Sequence, residues 1–395
     1  MSFARGTAMV MLAGLLAACA GGQPEPQQPS PQQPQGGQRG GQRGGRGQGG
    51  AQRGQGGGAP GQFGQSAALE AWPIQTREVL DLWLHGFAMI TDDTSRVPLF
   101  RRGYRDMMVV EKNKLEIETL LDSRHDSLAQ YLVEHPYIVN AQFIALEQHE
   151  WTDMYRDIQT YLASGGDPHK VHGAEEQQMV QAWFQIFPGA ADRKWLSMFA
   201  TALNDEYTKF YNAYWHRTEQ QRRAVLEAVD STWSRVYLKQ FRRFQEGADL
   251  ERGEVLLSLP LGGEGRSILG GKRQNIIAVI FPDSVSTADE ALFAITHEAV
   301  GSVAGRAVSD NTTPNEKKSG LADRYLSAAT VRAGAMVIER IRPALLTAYQ
   351  AYYLRAAGFD VPAGKEAQEF VFRFPLSDPI VAELRQSLDA ATTGI

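Results

Sequence analysis

The sequence predicts a mainly helical protein of the α+β class: a helical N-terminal half, then a half with a small β-sheet and one deeply buried helix. Three observations predict it. From residue 66 to about 250, apolar side chains recur at three- and four-residue spacing, the period of a helix with one face in a core. After Gly253, two short apolar runs, each closed by proline, read as strands. Soon after the second, from Ala291, comes a segment apolar on nearly every side, the pattern of a helix buried all round.

Taken in order, the helical signals are Val79-Leu80-Trp83-Phe87-Ile90, Met107-Val110-Leu115-Ile117-Leu121 and Phe143-Leu146-Met154-Ile158-Leu162, with further helices around 179–186, 195–214 and 225–244. Breaks fall at Trp72-Pro73, Val97-Pro98, Gly165-Gly166-Asp167-Pro168 and Phe187-Pro188-Gly189, where proline and glycine end regular structure. The Trp and Tyr stripes on these helices read as core rather than as a ligand box. Glu254 to Leu259, closed by Pro260, and Asn275 to Phe281, closed by Pro282, are the two strands. The glycines between them do not make a phosphate loop, because in Gly270-Gly271-Lys272-Arg273 the lysine is one place late and arginine stands where Ser or Thr is needed. Thr287-Ala288-Asp289-Glu290 reads as a capping box that starts the buried helix just before Ala291. A helix over 321–342 follows, ended by Pro343, and then a helix with Tyr349, Tyr352 and Tyr353, closed by Gly358. The alternation from Glu369 to Phe374 reads as one more strand, and a last helix runs from about Asp378.

The start of the chain is of another kind. Residues 1–18 have one basic residue, Arg5, and an apolar run from Ala8 to Ala18, too short to span a bilayer and of secretory-signal type. Leu16-Ala17-Ala18-Cys19 resembles a bacterial lipobox, which implies cleavage before Cys19, lipidation of its thiol and anchoring in a membrane, the outer one where the cell has two. Cys19 is the only cysteine, so neither an internal disulfide nor a cysteine metal site or nucleophile is available. Residues 19–65 are Gln, Gly, Pro and Arg with almost nothing apolar, a composition that cannot offset the entropy of ordering and so reads as a disordered tether. Its Arg39, Arg43, Arg46 and Arg53 among glycines look like RNA-binding tracts, but an exported chain meets no RNA, and a mildly basic spacer is the plainer reading. Of 40 basic and 45 acidic residues, five Arg and one Glu precede Ala67, which leaves 35 against 44 and speaks against nucleic acid as a partner.

The chemistry concentrates in Ala294-Ile295-Thr296-His297-Glu298-Ala299-Val300-Gly301. Two polar side chains in the middle of a buried helix are costly unless paired or bound to something. A strand ended by proline, a short connection and a buried helix with His-Glu at its centre resembles the active-site helix of the zincin metallopeptidases, whose H-E-x-x-H places two histidines one turn apart on zinc and uses the Glu on a metal-bound water. The gluzincin branch takes its third ligand from a Glu on a later helix. Carried over, His297 is a zinc ligand, Glu298 the general base and Glu339 a second ligand. Gly301 departs from the pattern, since it stands where the second histidine belongs and leaves two protein ligands against the three usual for catalytic zinc.

Two other clusters compete. His149-Glu150-Trp151-Thr152-Asp153 sets His149 and Asp153 one turn apart if helical, though a solvated face explains it, and His169 and His172 lie in a polar loop. No G-x-S-x-G elbow is present. The sequence thus divides into a lipoprotein signal (1–18), a tether (19–65), a helical subdomain (66–250) and a zincin-like subdomain (251–395). The leading functional reading is a membrane-anchored lipoprotein with a divergent zinc-metallopeptidase-like domain, acting on peptides and short of one ligand. The alternative is a non-catalytic envelope lipoprotein that serves as an interaction scaffold for another envelope protein.

Overall fold

The computed structural model describes residues 72–91, 99–269 and 275–392. The expected signal, the expected lipidation site at Cys19, the expected tether, the Val97-Pro98 break and the Gly270–Arg273 stretch lie outside them. What is described is mainly helical with one small mixed sheet, the α+β class that the sequence predicts.

The described part opens with a strand that the sequence did not announce. Ile74–Thr76 (β1) leads into α1 (Glu78–Ile90), and then come α2 (Tyr104–Lys114), α3 (Leu120–Ser123), α4 (His125–Glu134) and a 3-10 run over Pro136–Glu147. Next are α5 (Trp151–Ser164), α6 (Ala174–Ile186) and α7 (Ala190–Glu206), which continues through a π-helical turn, Tyr207–Tyr211, into α8 (Asn212–Gln221). Helix α9 (Arg223–Val236) runs through a second π turn, Tyr237–Phe241, into α10 (Arg242–Gly247). The glycine break is real: Gly165 and Gly166 take φ of 67° and 81°, values a side chain resists.

Two long helices of the sequence reading are each split. The Met107–Leu121 signal breaks after Lys114, where Glu116 adopts φ 55°. The Phe143–Leu162 signal breaks between the 3-10 run and α5, and His149 sits in that break, exposed and ahead of the helix. His149 and Asp153 therefore do not share a helical turn. His169 lies in a 3-10 turn, Pro168–Lys170, and His172 in the loop after it, both exposed.

The aromatic stripes form core, as their spacing predicts. Trp83, Phe87, Trp183, Trp195 and Phe199 are fully or almost fully buried. Trp195 stacks on Phe199 at 4.9 Å between ring centroids, and Trp83 meets Phe199 edge-on at 5.2 Å. Gly86 lets α1 approach α7 here, since a Cβ at that position would stand 2.8 Å from the Phe199 ring.

The sheet has the order β1-β2-β4-β3. β2 (Glu254–Ser258) lies between β1 and β4 (Asn275–Ile280) and is parallel to both, with Ile74 opposite Val255 and Val255 opposite Ile277. β3 (Arg266–Leu269) is the antiparallel edge, Ser267 opposite Ile277. The unbroken apolar runs of β2 and β4 suit strands covered on both faces, and Val255 to Leu257 and Ile277 to Val279 are fully buried. β1 ties the first half of the chain into this sheet, and Arg77 just after it donates to Glu254 at 2.7 Å.

Helix α11 (Asp289–Asp310) crosses β4 and packs against α13 (Leu321–Ile341) and α16 (Asp378–Thr392), with α12 (Pro314–Lys318), α14 (Leu346–Ala356) and α15 (Lys365–Val371) completing the chain. The capping box forms one turn earlier than the sequence suggests. Ser284 and Thr287 cap a 3-10 turn, the helix starts at Asp289, and Glu290 pairs with Arg355 instead of with Thr287. The strand expected over Glu369–Phe374 is not one. Its first residues belong to α15, with Ala367 and Val371 buried one turn apart, and the carbonyls of Phe372 and Phe374 are taken by the Arg332 guanidinium rather than by a neighbouring strand.

Candidate functional site

Helix α11 carries the His297-Glu298 pair into the layer between β3 and α14. His297 is 7% exposed, and its ring lies on Tyr353 of α14, 5.3 Å between centroids and 25° between planes. Burial pushes the imidazole below its ordinary range, opposed by the carboxylate of Glu298, the one charge acting on it among the described residues. It is therefore neutral at pH 7. Its Nδ1 is buried without a hydrogen-bond partner.

Glu298 has the opposite fate. The Gly265 N–H donates to Oε1 at 3.1 Å and the Ser267 hydroxyl to Oε2 at 2.7 Å. Both donors belong to β3 or the residue before it, so the carboxylate braces the edge strand against α11. Gly265 has to be glycine for this approach: a Cβ there would stand 2.5 Å from the Ala278 carbonyl and 2.7 Å from Glu298 Cγ. Each oxygen of the candidate general base thus accepts one hydrogen bond from the fold itself.

The other members of the sequence-derived site are not brought in. Gly301 lies one turn beyond His297, and a Cβ there would meet nothing within 4 Å, so the ligand position is open space. Glu339 is exposed. It follows the apolar run of α13, but α13 buries Thr330, Ala333, Gly334, Val337 and Ile341, and a step of 100° per residue turns position 339 away from that face. Among the described residues no three His, Cys, Asp or Glu side chains converge as metal ligands. One neutral imidazole, one committed carboxylate and an outward-facing Glu do not fit catalytic zinc, which needs three protein ligands and an open position. The three tyrosines of α14 pack, as their spacing suggests: Tyr349, Tyr352 and Tyr353 are buried, and their hydroxyls donate to the carbonyls of Val331, Gly262 and Phe293.

A second concentration of buried charge, invisible to motif reading, lies in the helical half. His85 of α1 and Glu206 of α7 are completely buried, and Lys112 of α2 is 2% exposed. His85 Nε2 lies 3.1 Å from Glu206 Oε1 and Nδ1 lies 3.1 Å from the Tyr104 hydroxyl. A carboxylate only accepts, so Nε2 carries the proton and Nδ1 accepts from Tyr104. Lys112 Nζ reaches Glu206 at 2.7 Å, Asp122 at 2.6 Å and Thr119 at 2.9 Å, using all three of its donors. Burial by itself raises Glu206, but the His85 hydrogen bond and the Lys112 cation outweigh it and hold the carboxyl at about 2. Burial, with Lys112 adding to it, lowers His85. One turn before His85, Asp81 is fully buried between Trp215 Nε1, 2.8 Å away, and the Leu259 N–H at 3.3 Å, and burial pushes its carboxyl up to about 7. The sequence signal for this set was weak: polar residues at 81 and 85 on an otherwise apolar helix, with partners far along the chain.

Comparison with models of known families, with curated proteins and with solved structures returned no match.

Proposed function

We propose that this chain is a membrane-tethered lipoprotein built on a gluzincin-like scaffold whose His-Glu pair now serves the fold, and that it acts by binding a partner in the cell envelope rather than by hydrolysing peptides. The observation that carries this reading is the state of Glu298. Each oxygen of this carboxylate accepts a hydrogen bond from the edge strand, which fixes its orientation on β3 instead of on an attacking water. The glycine at 301 and the outward Glu339 support the same reading, because they leave His297 as a lone imidazole. The lipobox-like start supports the tether.

Metal content of the purified full-length protein tests it. After zinc loading and dialysis the wild type is expected to retain well below one zinc per chain, with His297→Ala indistinguishable from it. Gly301→His fills an open position one turn from His297 and is expected to raise retention, since two imidazoles one turn apart form the core of such a site. Stoichiometric zinc in the wild type that disappears in both His297→Ala and Glu339→Ala would overturn the binding-scaffold reading in favour of a metallohydrolase.

A further inference from the structure

A pocket of about 460 Å³ opens at the carboxyl ends of β2 and β4, away from the His297 pair. Its floor is apolar, with Phe100, Met107, Ile280 and the Tyr352 ring, and its rim is cationic, with Arg101, Arg102 and Arg355. This size is in the range of small-molecule sites, and an apolar body with a few converging charges is their usual make-up.

The charges around it do not cancel. Asp283 Oδ1 is shared by two guanidinium groups, Arg101 at 2.5 Å and Arg222 at 2.8 Å. Glu290, in the first turn of α11, is matched by Arg355 at 3.1 Å. Arg102 donates from Nε to the Ala356 carbonyl, and its guanidinium rests against Gly358. Four arginines thus stand around two carboxylates, and Arg101, only 12% exposed, keeps a buried Nε without an acceptor. An assembly of guanidinium forks with too few anions, set over an apolar floor, is suited to an oxyanion that arrives with its own hydrophobic body.

We infer that this pocket binds a small amphipathic organic anion, its carboxylate or phosphate held by Arg102 and Arg355 and its apolar part laid against Phe100, Met107 and Ile280. Arg101 and Arg222 remain engaged with Asp283 and set the positive background. Both proposed ligands are exposed, so neither is needed to hold the core, and the site stands whether or not His297 ever meets a metal.

Isothermal titration of the full-length protein with phenyl phosphate, phenylacetate, neutral phenylacetamide and inorganic phosphate tests this. The two aromatic anions are expected to bind with Kd on the order of 0.1–1 mM and the neutral amide at least about 10-fold more weakly. The tighter of the two anions identifies the head group. Arg102→Gln and Arg355→Gln are each expected to weaken that anion about 10-fold, whereas Arg156→Gln, at an exposed arginine paired with Asp153 and absent from the pocket lining, leaves it unchanged. Circular dichroism of each variant confirms that it is folded. No binding of either anion, or equal loss in the Arg156 variant, overturns the site. Inorganic phosphate that binds as tightly as phenyl phosphate overturns the amphipathic assignment.

Discussion

Among the described residues two histidine–glutamate pairs set a buried imidazole beside a carboxylate, fully buried in Glu206 and half-buried in Glu298, and they are finished to different degrees. His85 and Glu206 meet from helices 121 residues apart and close a network in which the three donors of Lys112, the Glu206 oxygens and both ring nitrogens have partners. His297 and Glu298 are neighbours in sequence, yet only the glutamate is satisfied, and the imidazole Nδ1 has no partner at all. A closed network of buried charge rigidifies a core and leaves nothing to react. An open one leaves a buried polar atom whose hydration is lost and not replaced. The spelled motif is therefore the weaker predictor of a well-made polar site here, and the unspelled pair the better-made one.

The contrast can be broken from the finished side first. Glu206→Leu leaves the His85 Nε2–H and one donor of Lys112 without an acceptor in the core, with Asp122 as the only carboxylate left to Lys112 in the network, and is expected to cost about 3–5 kcal/mol, read from urea unfolding at pH 7. A loss below about 1 kcal/mol would show that the network is not closed. Glu298→Ala removes the acceptor for the buried Gly265 N–H and the half-exposed Ser267 Oγ–H, so about 2 kcal/mol is expected, with β3 amides losing hydrogen-exchange protection before those of β2. Protection lost evenly over the sheet would refute its role as a brace.

The pH dependence separates the groups by sign. Glu206, held at about 2, contributes stability that is complete above its ordinary value near 4.5 and is lost as the pH falls toward 2. His85 and His297, both lowered by burial, likewise lose stability as the pH falls below about 6.5. Asp81 runs the other way: raised to about 7, it contributes most below its ordinary 3.8, and that contribution is lost as the pH climbs through 7. Asp81→Asn is therefore expected to gain on the wild type steadily between pH 4 and pH 7 in urea titrations, by roughly 1 kcal/mol or more. A parallel pair of curves would refute the assignment. The smallest effect belongs to the unfinished side. His297→Phe keeps the stack on Tyr353 and removes a ring nitrogen that has no partner, so its stability should lie within about 1 kcal/mol of the wild type, and a loss of several would mean that Nδ1 is held by a bound group.

Periodicity carried much of the fold. The helix around His297, the two apolar strands and the aromatic core announce themselves because burial on one face, or on all, writes a local pattern. β1 and β3 were missed for a physical reason: with three and four residues they are too short for a period, and each exists because a partner strand is already there. Phe370, Phe372 and Phe374 alternate like a strand, but the donors that satisfy this stretch come from Arg332, a tertiary fact no window contains. Glu339 falls outside the buried face of its helix by one step of helical phase. His85 and Glu206 could be named singly from their sequence positions, but not paired, since nothing local links the two helices.

The first strand carries a consequence for how the chain acquires its shape. Gln75 bonds to Glu254, 179 residues later, and the whole helical region lies between them. Synthesis delivers β1 long before any strand exists to receive it, and the sheet cannot close until β4 has also been made. The helices between can form early from local contacts, so the slow step is the return of β2 to a three-residue segment that has waited with its amides unpaired. Until then that segment is a vacant edge, and a truncated chain ending before Glu254 would keep it vacant for good.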